Sequence, residues 1–208
     1  MASSQRVLTP RPLPADALAL ARRRFLDGAR IDMSALAEEL GVNRVTLYRW
    51  FGSRDRFMVE VAWSRARDAL DAIEASVRKR GAARIVEIVL RFLDAIITDT
   101  GMQRWLAEEG EHAMRLLTRH ETGFQPRLIA AIEALLREEA DAGRLELPVD
   151  LHELAYVVVR LIESYVPRPD HGRETGCLAR GADPPDAAAG RLISRPAAGP
   201  PARSRPRP

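Results

Sequence analysis

A chain of 208 residues, 46% hydrophobic and 29% charged, can bury one substantial core or two small ones, which excludes disorder throughout. Its single cysteine, Cys177, excludes an internal disulfide or a multi-thiolate site and suits a reducing compartment. The net charge of +3 is unevenly spread: 12 Arg against 7 acidic groups in residues 1 to 67, 12 Arg and Lys against 18 in 68 to 166, and 8 Arg against 4 in 167 to 208. A basic head on an acidic body is the layout of a protein whose head meets a polyanion.

Residues 1 to 13 are expected to be disordered. Pro14 followed by "ADALALARRRF" then predicts a helix with Leu18, Ala21 and Phe25 on one face, ending near Gly28. Asp32 is placed to cap a second helix in which Leu36, Ala37 and Leu40 share a face before Gly41 stops it. Asn43 caps a third, "RVTLYRWF", and Ser53 a long fourth that reaches about Lys79, with Phe57, Val61, Ala62, Ala66, Ala69, Leu70, Ile73 and Val77 as its buried stripe. Ile85, Ile88, Val89, Phe92 and Ile96 form a fifth stripe, and Met102 to about Leu117 a sixth helix. Pro126 opens a seventh, stopped by Gly143, and Asp150 with Glu153 resembles a capping pair for "LHELAYVVVRLIESYV".

No strand-like alternation interrupts this pattern, so the predicted fold class is all-α. The last helix is apolar on nearly every side, which predicts burial between its own bundle and a second subunit. Its apolar run is broken by Arg160 and Glu163 and is too short to span a bilayer. With no apolar leader at the N-terminus, the expected location is cytoplasmic, without a membrane partner.

The chemistry sits in "MSALAEELGVNRVTLYRWF", residues 33 to 51. Leu36, Leu40, Val42, Leu47 and Trp50 supply a shared core, Ala37 is small where two helices touch, and Gly41 allows the positive φ that swings one helix across the other. This is the template of a helix-turn-helix. In its docking geometry the start of the second helix enters the major groove, which presents Asn43, Arg44, Val45 and Thr46 to base edges. Tyr48, Arg49 and Arg54 are then expected at the flanking phosphates. Trp50 and Phe51 read as core rather than contact.

This three-helix head, with "TLYRWFGSRDRF" running directly into a long fourth helix and a larger helical body, resembles the TetR-type transcriptional regulators. "DMSALAEELGVNRVTLYRWFGSRD", followed by the stretch from "ETGFQPRLIAAIEALL" to "LIESYV", is similar to their QsdR-like (quorum-signal degradation regulator) subgroup. The resemblance implies a homodimeric repressor that binds a double-stranded, palindromic DNA operator and releases it when a small apolar or lactone-like effector enters the body. It also implies dimerisation through the last two long helices, the first of which matches residues 151 to 166. The expected organisation is a DNA-binding domain over 14 to 62, a ligand-binding and dimerisation domain over 63 to 166, and a tail over 167 to 208.

In that tail 30 of 42 residues are Arg, Pro, Ala or Gly, a composition that forbids a continued helix. Two readings are open: a natural disordered basic tail, or a frameshift product. With 31 Arg and one Lys the gene is GC-rich, and such DNA read out of frame yields these same residues. Moving the frame of "VPRPDHGRETGC" forward by one nucleotide permits a stretch similar to the family's link into its final helix, and sequencing the locus distinguishes the two.

Phe92, Met102, Trp105, Met114 and Tyr156 are the large groups on helices that such regulators use to line an effector pocket, although each also suits plain core. His112 lies one turn after Glu108, a spacing read as a surface ion pair rather than a metal site, since no third ligand accompanies it. No phosphate-binding glycine loop, nucleophile elbow or paired-carboxylate motif is present, so no cofactor, metal or enzymatic activity is expected. The alternative function is a DNA-binding or protein-interaction module without a small-molecule ligand.

Overall fold

The structure is a computed structural model that describes residues 12–147 and 149–166. It runs α1 Pro14–Leu26, α2 Met33–Glu39, α3 Arg44–Phe51, α4 Arg54–Ser76, α5 Ala82–Thr98, α6 Thr100–Thr118, a 3-10 turn at His120–Thr122, α7 Phe124–Asp141 and α8 Leu151–Tyr165. No strand occurs among the described residues.

The helix starts follow side-chain chemistry. The Asp32 carboxylate accepts the N–H groups of Ser34 and Ala35 at 2.9 and 2.8 Å, and the Asn43 side-chain oxygen accepts that of Val45 at 2.9 Å. Ser53 accepts the Arg56 N–H at 3.1 Å, and Asp150 those of His152 and Glu153 at 2.8 and 3.2 Å. Gly41 turns α2 into α3 at φ 65°, as the hairpin requires. Three boundaries differ from expectation: α4 ends at Ser76, α6 starts at Thr100 because Asp99 caps it, and α7 starts at Phe124, with Pro126 inside its first turn, where an N–H has no helical acceptor to lose.

One continuous core runs through the described chain. In the head, α2 packs on α3 and α1 lies across α2, α3 and α4, burying Leu20, Phe25, Leu36, Leu47 and Phe57. The expected domain boundary at 62/63 falls inside α4, which runs unbroken into the body and buries Phe57, Val61, Ala66 and Leu70. Head and body also meet where α1 ends against α6. A Cβ on Gly101 would overlap the Phe25 carbonyl oxygen, so only glycine admits this approach.

A second tie closes the body. Glu139, 1% exposed, accepts the Gly81 N–H at 2.6 Å and pairs with Arg84 at 2.9 Å and Arg144 at 2.7 Å, joining the α4–α5 turn to the end of α7. Arg144 first, then the Gly81 N–H and Arg84, hold its carboxyl down at about 2.

Helix α8 departs from the expectation of burial on nearly every side. Ala155, Val159 and Ile162 are buried, whereas Tyr156, Val157, Leu161 and Tyr165 on the other side stay 43–56% exposed. The tail expected over 167 to 208, with its frameshift reading, and residues 1 to 11 lie outside the described residues.

Candidate nucleic-acid interface and body cavity

The first turn of α3 is built to stand clear of the core. Leu47 is the helix's one fully buried side chain, so the residues preceding it point away: Asn43, Arg44 and Val45 are exposed and Thr46 half-buried. Val45 leaves 72% of its surface in solvent, the largest fraction among the exposed large hydrophobics of the described chain.

Arg44 is held along the helix by Tyr48. Its Nη2 donates to the Tyr48 hydroxyl at 3.0 Å, and its guanidinium carbon lies 5.3 Å from the centre of that ring. Arg49 is exposed and has no carboxylate partner among the described residues. Two further cations that the sequence reading passed over share this condition. Arg30, in the turn before α2, joins Arg44 in drawing down the Asp32 carboxyl, which is lowered chiefly by the N–H groups of Ala35 and Ser34. Arg56 is exposed in the first turn of α4, beside Gly52. The available signal was position: both cations abut the capping residues Asp32 and Ser53.

Arg54 is placed differently from its expected role at a phosphate. Its Nη1 donates to the Glu109 Oε2 at 2.9 Å, and its Nη2 meets the second carboxylate oxygen. A bidentate carboxylate already satisfies the fork that a phosphate would need. This hydrogen bond is also the first cause of the lowered Glu109 carboxyl. The next residue, Asp55, lies 2.9 Å from His112 Nε2 through its Oδ1, so His112 pairs across helices instead of with Glu108, which accepts from Arg104 at 2.7 Å. Spacing within one helix could not show this, because the partner comes from α4. No group of three His, Cys, Asp or Glu side chains among the described residues is arranged to hold a metal ion.

Both ties to α4 start on α6 beside its kink at Gly110 (φ 37°, ψ −110°). The same helix forms one wall of a cavity of about 750 Å³, a volume that includes its opening to solvent. Room for it comes from α4, where Ala62, Ala66 and Ala69 present methyl groups at helical spacing to the large side chains of α5, α6 and α7. Sequence reasoning placed this alanine stripe in the core without seeing that small residues opposite large ones leave a void.

Of the five expected pocket residues, Phe92, Met102 and Met114 line this cavity. Trp105 does not: it packs edge-on to Phe25, with ring centres 6.2 Å apart, and borders a smaller cleft beside Arg54 and Glu109. Tyr156 does not either, being 46% exposed on the outward side of α8. Its neighbour Ala155 occupies the inward position, and one residue along a helix rotates a side chain by about 100°. The polar members of the lining are Arg65, Asp99, Thr118 and Glu163.

Residues 80–169 match the family model described as the tetracyclin repressor-like C-terminal domain. The solved structure of the R. erythropolis transcriptional repressor QsdR, from the TetR family, aligns with a TM-score of 0.66 at 24% identity, covering 71% of this chain and 78% of that one. That likeness establishes a shared fold. No curated protein matches the chain.

Proposed function

We propose that this chain is a TetR-type repressor whose two heads, joined in a homodimer, bind a palindromic DNA operator and let go when a small molecule fills the body cavity, a reading supported by the match of residues 80–169 to the tetracyclin repressor-like C-terminal domain and by the fold shared with QsdR. The observation that carries the DNA reading is the exposed trio Asn43, Arg44 and Val45, with half-buried Thr46 beside them, at the start of a helix whose other side is sealed by Leu47. A dimer would set two such helices in successive major grooves, about 34 Å apart. The exposed side of α8, with Tyr156, Val157, Leu161 and Tyr165, is the surface through which we propose that two copies meet.

The release step rests on α6. It touches the cavity through Met102, Met114 and Leu117, and it holds the start of α4 through Glu109 and His112. An effector that repositions α6 at Gly110 would therefore move Arg54 and Asp55, one residue beyond the cap that follows α3. A small apolar or lactone-like molecule suits a space walled by alanine, phenylalanine and methionine.

Selection of random duplexes with the purified full chain tests the DNA reading. An enriched inverted repeat with half-site centres one helical turn apart supports it. Recovery of no sequence preference at physiological salt overturns it.

A further inference from the structure

The effector's chemistry can be narrowed from the polar groups of the cavity, an inference that rests on the effector reading above. Four such groups line it, and three have spent their donors or acceptors. The Thr118 hydroxyl donates to the Met114 carbonyl at 2.8 Å. Asp99 caps α6 through the Met102 N–H at 2.8 Å and takes Arg65 Nη2 at 3.1 Å. Glu163 accepts from Gln125 Nε2 and Arg160 Nη1, each at 2.7 Å. The fourth is the Nε–H of Arg65, which is buried and has no hydrogen-bond partner among the described residues.

A buried donor left unmatched costs free energy that a ligand acceptor recovers. The ligand atom that recovers it must be an acceptor, since the guanidinium offers only N–H, and a carbonyl oxygen is one that an otherwise apolar molecule can bring. Charge decides its kind. Arg65 is the one cation of the lining, set against the two carboxylates of Asp99 and Glu163, so the lining has no positive charge to spare. With Arg65 paired to Asp99 and Glu163 to Arg160, an anionic ligand would give up its hydration without gaining a free cation, in a space otherwise walled by Phe92, Met114 and the α4 alanines. We propose that the effector is a neutral carbonyl compound, such as an ester, lactone, amide or ketone, whose oxygen accepts from Arg65 Nε and whose apolar remainder fills the cavity.

The test is displacement of the neutral fluorescent dye N-phenyl-1-naphthylamine from the full chain by three probes of similar length: methyl octanoate, octanoate and nonane. Methyl octanoate is expected to displace the dye at a concentration at least about tenfold below either of the others, the worth of one hydrogen bond to a charged donor. Arg65→Lys keeps a cation for Asp99 and removes the Nε–H, so it should bring the ester and nonane within about twofold of each other while the dye still binds. In the wild-type chain the nitrogen resonance of a protected arginine Nε–H should move with the ester and stay with nonane, a readout that needs no folded variant. Octanoate displacing as well as the ester, an unchanged ester preference in Arg65→Lys, or a static Nε–H resonance each overturns the proposal and leaves the cavity standing. Failure of the dye and all three probes to bind overturns the cavity reading as well.

Discussion

Arg44 and Arg49 stand on one helix with different surroundings, and their substitution should separate reading from holding. In the proposed reading Arg44 would exchange its bond to the Tyr48 hydroxyl for a guanine that accepts two guanidinium N–H groups. Arg44→Ala is expected to lower discrimination between the selected site and its guanine variant by about 1–3 kcal/mol. Arg49→Ala should weaken every duplex alike and reduce the slope of log affinity against log salt by about 0.9, both read by fluorescence anisotropy across a salt series. At the other end of the chain, Glu139 titrates with folding. Its carboxyl sits at about 2 in the folded protein against an ordinary 4.5. The stability it contributes is therefore present above pH 4.5 and is lost as pH falls toward 2. Glu139→Gln should cost about 1.5–3 kcal/mol near neutrality by urea unfolding, and its deficit relative to wild type should shrink through that acid window.

Helix α6 carries two duties, and residues of each stand on both sides of Gly110. Before and just after Gly110 it offers Glu109 and His112 to α4, and farther on it offers Met114 and Leu117 to the cavity. The Arg54–Glu109 pair makes the first duty measurable. Glu109→Gln keeps the shape but removes the charge that engages Arg54, whose guanidinium then becomes available to a phosphate. Its salt slope for DNA binding is expected to steepen by about 0.9, and an unchanged slope would show that Arg54 has no route to the duplex. Helix α4 answers α6 with its alanines, and the void they leave is as much a property of spacing as of size.

At the scale of the molecule, α8 leaves Val157, Leu161 and Tyr165 uncovered, spaced four residues apart along one side of a helix whose other side is core, with Tyr156 exposed on its flank. Placing a carboxylate there should oppose its burial against a second copy. Leu161→Glu is expected to convert a sedimenting dimer into a monomer and, because two linked heads bind far better than one, to weaken operator affinity by at least about a hundredfold. Retention of the dimer would move the interface elsewhere.

The helical elements and the hairpin were legible in the chain because their causes are local: Asp32, Asn43, Ser53 and Asp150 cap the turns that directly follow them, and apolar side chains recur at helical spacing. The exposure of the first turn of α3 was legible for the same reason, since Leu47 sets which side is inward. The partners of Arg54 and His112, and the meeting of Glu139 with Gly81 and Arg84, were not, because these groups lie 55 to 58 positions apart, beyond anything periodicity can relate. Nor was the cavity, whose walls come from several helices and whose emptiness depends on how closely they approach. Local hydrogen bonds and periodicity thus settled the elements, while only packing between distant segments decided which charges are spent, which donor is left over and where a cavity opens.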